Sequence, residues 1–327
     1  MIIENSKTYT ENEVENLFFR PSFCGKSAEE LGIRVLYNMP TPTTVPTFKH
    51  NANILAEFAS GWQGGKAATM TEVDIPLVRL KAENAYSASR YFNSVYDILV
   101  NSTDANLGDL TGTDLEKAET ELFRRAIVES VYATMWFGDD QNEVSDFGSF
   151  TGFLRKILDI VEVHNKNSDI IISDEEEVLS AQEILCNTWK QANDSLKGIA
   201  ADGQLVFFVS SDIYDAYHFY LEEKGVVSAV ADSTNSRPAL SFHGIPVVEI
   251  APSRYNLYRA NSFCILTDRR NLVLALNTAD SPEKEIRMWY NPDEMQNRQR
   301  VVFLAGTAII DPTLISAHIF DSGLLLS

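Results

Sequence analysis

The stretch Thr113-Asp-Leu-Glu-Lys-Ala-Glu-Thr-Glu-Leu-Phe-Arg-Arg-Ala-Ile-Val-Glu-Ser-Val-Tyr-Ala-Thr-Met-Trp-Phe-Gly138 decides how this chain is read. Thr113 can cap a helix, and Glu116 stands three residues on, the spacing of a capping box. Leu115, Ala118, Leu122, Ala126 and Ala133 fall on one stripe. Phe123, Ile127, Val131 and Thr134 fall beside it, which predicts a wide apolar face. Gly138 is placed to end the helix. At about 1.5 Å per residue the rod is about 36 Å long, enough to form the spine of an elongated domain. An ordinary core helix would need the same residues, so its meaning depends on what flanks it.

On its N-terminal side, residues 1–50 read as irregular. The prolines of Met39-Pro-Thr-Pro-Thr-Thr-Val-Pro46 oppose both helix and central strand. An extended arm fits, with a short helix over residues 11–18. Phe18, Phe19, Phe23, Leu36 and Tyr37 give the arm apolar surface that must lie on something. Residues 52–80 read as a hairpin. Its limbs are Asn53-Ile-Leu-Ala-Glu-Phe-Ala59 and residues 69–80, and its tip is Gly61-Trp-Gln-Gly-Gly-Lys66. Thr69, Thr71, Val73 and Ile75 share one face at period two. The tip is no phosphate loop: Gly61 stands too close to Gly65-Lys66, and Ala67 follows where Ser or Thr is needed.

On the C-terminal side the elements alternate. A helix is expected from Ser173-Asp-Glu-Glu-Glu to about residue 196, its acids favoured in the first turn by the helix dipole. A strand follows at residues 204–209, then a helix over 212–224 capped by Ser211 and stopped by Gly225. A turn at His243-Gly244 leads to a strand at 245–250, and further strands are expected at 262–267 and 272–276. Residues 285–290 and 298–304 flank the polar loop Asn291-Pro-Asp-Glu-Met-Gln-Asn297 as a late hairpin, and a last strand covers 307–310. The mixture predicts an α+β architecture.

Composition narrows the function. The chain has 327 residues and a net charge of −19, with 46 acidic against 27 basic side chains. A protein that grips nucleic acid needs a basic patch to displace counterions, and no dense Lys/Arg run exists here. No apolar run reaches the roughly 18 residues that span a bilayer. The start has no basic segment leading into an apolar one, so no signal peptide is expected. Cys24, Cys186 and Cys264 form no C-x-x-C pair and read as reduced thiols. His50, His164, His218, His243 and His318 have no metal-binding spacing, and neither a G-x-S-x-G elbow nor a dinucleotide fingerprint is present. No catalytic residue, metal or cofactor is therefore expected. An acidic α+β enzyme with a carboxylate site remains a reading of the composition alone.

The order of elements carries more than any one residue. An apolar arm, a glycine-tipped hairpin, a long helix, an α+β unit and a late hairpin together resemble the Hong Kong 97-type major capsid proteins of tailed bacteriophages. Residues 122–139 resemble the family's spine helix with its Gly-Asp exit. Phe207-Phe-Val-Ser-Ser-Asp-Ile-Tyr-Asp-Ala-Tyr217 resembles its A-domain strand and helix. Phe242-His-Gly-Ile-Pro-Val-Val248, Thr267-Asp-Arg-Arg-Asn-Leu272 and Glu285-Ile-Arg-Met-Trp-Tyr-Asn-Pro-Asp-Glu294 resemble later segments. The resemblance implies an N-arm over residues 1–47, an E-loop over 48–80 and a P-domain with spine helix over 81–164. It implies an A-domain over 165–284, a P-domain hairpin over 285–304 and a return to the A-domain over 305–327. It also implies pentamers and hexamers that close a shell around double-stranded DNA without binding it strongly. Portal, scaffold or decoration proteins would be partners, with any scaffold a separate chain, and no membrane is involved. Trp62 and Lys66 at the first tip, and Asp293, Glu294, Arg298 and Arg300 of the late hairpin, are the expected assembly contacts. The late loop bears both signs, so it is expected to meet rotated copies of itself. Encapsulin nanocompartments share this fold and enclose proteins, and the sequence does not separate the two.

Overall fold

The computed structural model describes residues 28–40, 43–50, 55, 57–58, 60–61, 68–87, 109–111, 114–140, 147–164, 170–174, 179–225, 240–251, 262–279 and 286–321. The expected spine is there as α1 (Asp114–Phe137), 24 residues long. Its phase differs from the simple stripe. Phe123, Ile127, Tyr132, Ala133, Met135 and Trp136 are buried, whereas Leu122 and Ala126 are exposed. Near its C-terminal end the helix is enclosed on several sides. Gly138 then ends it at close quarters: a Cβ there would collide with the Phe150 carbonyl oxygen. The chain crosses itself at this point, since the Gly152 N–H donates to the Gly138 carbonyl at 2.7 Å. A further helix, α2 (Phe153–His164), whose Phe153, Leu154, Ile157 and Leu158 recur at helical spacing and are buried, follows and packs against α1.

Two sheets flank these helices. The first contains β1 (Arg34–Leu36), β4 (Val78–Tyr86), β10 (Leu272–Leu276), β11 (Arg287–Asn291) and β12 (Gln296–Ile309). The 14-residue β12 is its axis. β11 and β10 pair with successive parts of β12, while β4 pairs with residues 297–305. The strand expected at 307–310 is thus the end of β12, and the late loop is shorter than expected. The second sheet runs β5 (Ile170–Asp174), β13 (Ile315–Asp321), β9 (Phe263–Asp268), β6 (Leu205–Val209), β8 (Ile245–Glu249) and β7 (Leu240–Phe242). His243 and Gly244, both at positive φ, make the tight turn between β7 and β8.

Alternation in the second sheet divides two cores. Val206, Phe208, Phe263 and Ile265 face the spine, and Leu205, Phe207, Cys264 and Leu266 face α3 (Ala181–Gln191) and α5 (Ser211–Glu223). The helix expected from residue 173 begins later. Ser173 lies in β5, and the capping box that starts α3 is Ser180 with Glu183. A break at Ala192-Asn193 then starts the short α4 (Asp194–Gly198), with Asn193 as its cap. Ser211 is likewise inside α5, which Ser210 precedes as N-cap. β9 and β10, read as neighbours in one unit, belong to different sheets. The buried Asn271 marks the crossing, donating to the Asp311 carbonyl at 3.0 Å and accepting from the Asp311 N–H at 2.7 Å.

The early hairpin is real but has different limbs. β2 (Thr43–His50) pairs antiparallel with β3 (Ala68–Ile75), so the first limb is the proline-bearing segment, not residues 53–59. Pro46 is tolerated because a two-stranded ribbon has free edges, where a missing N–H breaks no ladder. Pro76 and Leu77 separate β3 from β4, which were read as one limb. Thr43, Val45, Val73 and Ile75 lie on the ribbon face that packs onto Val273, Ala275 and Ala308 of the first sheet. At this junction a Cβ on Gly306 would collide with the Pro76 carbonyl oxygen. Overpacking typically costs about 1–3 kcal/mol, and a backbone atom cannot swing aside as a side-chain tip can. Gly306→Ala and Gly138→Ala are therefore each expected to lower the unfolding free energy by about 2 kcal/mol or more. Urea midpoints would measure this, and a midpoint equal to that of the wild type would show the crossing to be slack.

Candidate functional site

Of the expected contact residues, Trp62 and Lys66 lie outside the described residues. The other four cluster on the late hairpin. β11 and β12 close with the pair Asn291–Gln296, and the turn Pro292-Asp293-Glu294-Met295 projects between them. The Asn291 side-chain oxygen accepts from the Asp293 N–H at 3.2 Å, and Met295 takes a positive φ of 50°. Asp293, Glu294 and Met295 are exposed. Three of the charges expected to meet copies of the chain, those of Glu294, Arg298 and Arg300, already have partners within it. Arg298 forms a close ion pair with Glu294. Arg300 lies 5.5 Å from the centre of the Trp289 ring and 3.9 Å from Glu83, which accepts from Lys81 at 2.9 Å. The Lys81 hydrogen bond holds the Glu83 carboxyl below its ordinary range, and Arg300 and Arg298 act in the same direction.

Register explains why these groups share a surface. Along β12, Asn297, Gln299, Val301, Phe303 and Ala305 are directed inward, and Phe303 and Val301 join the spine core. The alternate residues Arg298, Arg300 and Val302 therefore face out. Pairing extends this outer face sideways. Arg287 stands opposite Arg300 and Trp289 opposite Arg298 on one side, with Glu83 opposite Arg300 and Lys81 opposite Val302 on the other. Arg79 continues the same face of β4. The outer face is thus in two halves. The β10 half is covered by the base of the β2–β3 ribbon, and among the described residues nothing packs on the β11–β12–β4 half. It carries a surplus of cations on a strongly acidic chain. Sequence reasoning missed Arg79, Lys81, Arg287 and Trp289. The signal was legible in Arg79-Leu-Lys81 and Arg298-Gln-Arg300, where cations recur at period two.

The ribbon offers the opposite character. Its free face presents Asp74 and Glu72 beside exposed Phe48 and Met70, and Thr44 donates to Asp74 at 2.8 Å. Beyond it Leu55 and Phe58 are also exposed. Among the described residues no group of three or more His, Cys, Asp or Glu side chains is placed to hold a metal ion, and no helix is long and apolar enough to cross a membrane. Cys264 is fully buried, and burial pushes its thiol up to about 12, so it stays protonated at neutral pH. His218 sits on α5 with Nδ1 3.5 Å from Glu222.

No family model matches the chain, and no curated protein matches its sequence. Solved structures match it along nearly its whole length. This is the Hong Kong 97-type α+β fold of phage capsid subunits. A chain of the satellite phage P4 procapsid, solved with its size determination protein, is 12% identical with a TM-score of 0.55, covering 98% of this chain and 93% of that one. The capsid of Myoviridae phage XM1 gives 13% identity and a TM-score of 0.55, with coverage of 98% and 97%. The SrpI encapsulin of Synechococcus elongatus PCC 7942 gives 9% identity and a TM-score of 0.53, with coverage of 88% and 84%.

Exposed ion pairs contribute only about 0–1 kcal/mol each. Arg298→Ala and Glu294→Ala are therefore expected to shift the unfolding free energy of the subunit by less than about 1 kcal/mol. Urea denaturation checks this. A loss of several kcal/mol would make the hairpin charges part of the fold.

Proposed function

We propose that this chain is the major capsid protein of a tailed bacteriophage, a structural subunit that assembles into pentamers and hexamers and closes an icosahedral shell around double-stranded DNA. One observation carries the reading. The fold matches phage capsid subunits over nearly the full length of both chains. The ribbon, with apolar side chains on its free face, supports it: two strands alone bury too little to be stable without further contacts. In this reading the ribbon is the E-loop, and the spine helix with the β12 sheet forms the P-domain. The second sheet with α3 and α5 forms the A-domain. Trp62, Lys66, Asp293, Glu294, Arg298 and Arg300 act as assembly contacts. The subunits assemble in the host cytoplasm with portal, scaffold or decoration proteins. Shell closure then rests on many modest contacts acting together.

The encapsulin likeness favours a second reading, a nanocompartment shell that encloses protein. Both readings predict closed particles by electron microscopy of the purified protein, and their contents separate them. Particles from infected or lysogenic cells that carry double-stranded DNA support the phage capsid, and particles filled with protein and free of DNA support the compartment. A sharp monomer at micromolar concentration in sedimentation, unmoved by crowding or salt, overturns both. Removing residues 61–66 is expected to leave the circular dichroism of the subunit unchanged and to lower the yield of particles. Global unfolding of that variant would place the tip in the core.

A further inference from the structure

Met288 is held in a way that the other described methionines are not. It stands opposite Gln299 in the β11–β12 ladder, on the sheet face turned to the spine helix. The hydroxyl of Thr120 on α1 donates to Met288 Sδ at 3.0 Å and, as its alternative, to the Glu116 carbonyl at 2.7 Å. Gln299 Nε2 lies 3.6 Å from the same sulfur and donates to Thr120 Oγ1 at 2.8 Å. Among the described residues no other methionine sulfur accepts a hydrogen bond. Gln299 is buried, whereas Met288, on the end strand β11, is 44% exposed. Met70 and Met295 are more exposed, at 52% and 67%.

We propose that Met288 is a stereospecific oxidation site, which takes one oxygen atom from hydrogen peroxide. A thioether sulfur has two lone pairs, and reaction through one or the other gives opposite sulfoxide epimers. Thr120 and Gln299 are hydrogen-bonded to each other, so they approach the sulfur from one side and engage its inner lone pair. The outer lone pair is left to solvent. A methionine side chain is flexible and ordinarily presents either pair. Here the two donors hold the sulfur in one orientation. The outer pair attacks one peroxide oxygen. An S–O bond forms as the O–O bond breaks, and the bonding pair leaves with the other oxygen. The proton on the transferred oxygen passes to the leaving one, which departs as water. Sulfur loses two electrons and the peroxide gains them. A sulfoxide sulfur is a poor acceptor, yet neither donor is left without a partner. Thr120 keeps the Glu116 carbonyl, and Gln299 keeps Thr120 Oγ1. The hairpin therefore keeps its seat on the spine helix while its edge gains a polar oxygen. The site lies within one subunit, so it stands whether or not the chain forms a shell.

Limited treatment of the purified chain with hydrogen peroxide, followed by proteolysis and mass spectrometry, reads each methionine separately. Incubating the peptides with sulfoxide reductases, each specific for one epimer, reads the stereochemistry. Met288 is expected to carry one epimer in about tenfold excess, the ratio that the net contribution of one hydrogen bond gives. Met70 and Met295, whose sulfurs accept no hydrogen bond among the described residues, are expected to give both epimers in comparable amounts. The circular dichroism of the oxidised chain is expected to match that of the untreated one. Thr120→Val keeps the shape of the side chain and removes the donor, and is expected to bring the two epimers at Met288 close to parity. Thr120→Ser keeps the hydroxyl and is expected to keep the excess. Comparable epimers at Met288 in the wild type, or an unoxidised Met288 once Met70 and Met295 are converted, overturns the site. An excess that survives Thr120→Val means that burial alone directs the attack, and overturns the role given to Thr120.

Discussion

Trp136 is the side chain on which the rest of the structure depends. It is fully buried near the C-terminal end of the spine helix, with the Phe153 ring centre 5.3 Å away and that of Phe208 5.0 Å away, both edge to face. Phe153 belongs to α2 and Phe208 to the second sheet, so one indole joins the spine helix to the next helix and to a strand of the second sheet. Aromatic pairs of this geometry add about 0.5–1.5 kcal/mol each beyond the area they bury. The spine core extends from here to Phe303 and Val301 of β12 and to Leu31 and Ile33 of the early segment. The helix thereby fixes both sheets to one body.

That body explains why the surfaces are where they are. β12 is long enough to serve two neighbours in succession on one edge, first β11 and then β10. Its inward residues meet the spine, and its outward residues meet the ribbon base at one end and solvent at the other. The same strand therefore anchors the core and presents the open face. Because the inner side is close-packed, a side chain on the outer side has a fixed direction. The crossing at Gly306 matters for the same reason: it sets how closely the ribbon approaches the sheet.

The exposed groups also distribute their charge unevenly. The chain is strongly acidic overall, so copies of it repel one another in bulk. One sheet face departs from this balance. Long-range repulsion between acidic subunits is screened by salt within about 10 Å at 0.1 M, so a local reversal of sign can act at contact without promoting general association. The Arg298–Glu294 pair and the Arg300–Trp289 stack hold their groups in place within one chain before any neighbour arrives.

The sequence by itself determined the spine helix, the strand at 205–209, the helix after it, the His243-Gly244 turn and the late hairpin. In each, local pattern and local chemistry agree: apolar period, caps, and turn residues that tolerate positive φ. It also determined that acidic and basic side chains gather in the hairpin at 293–300. What only the tertiary structure decided were the partners. Pro46 argued against a strand until a two-stranded ribbon gave it a free edge. Residues 262–276 read as one unit until β9 and β10 were sent to different sheets at Asn271. Leu122 and Ala126 read as core until the sheets closed on the opposite side of the helix. The basic face is the plainest case: Arg79 and Arg287 are over 200 positions apart in sequence, and only the pairing of β4 and β11 to the same strand puts them on one surface. Periodicity fixes which side chains of a segment point the same way, but which segments lie side by side is set by non-local contacts that no single segment encodes.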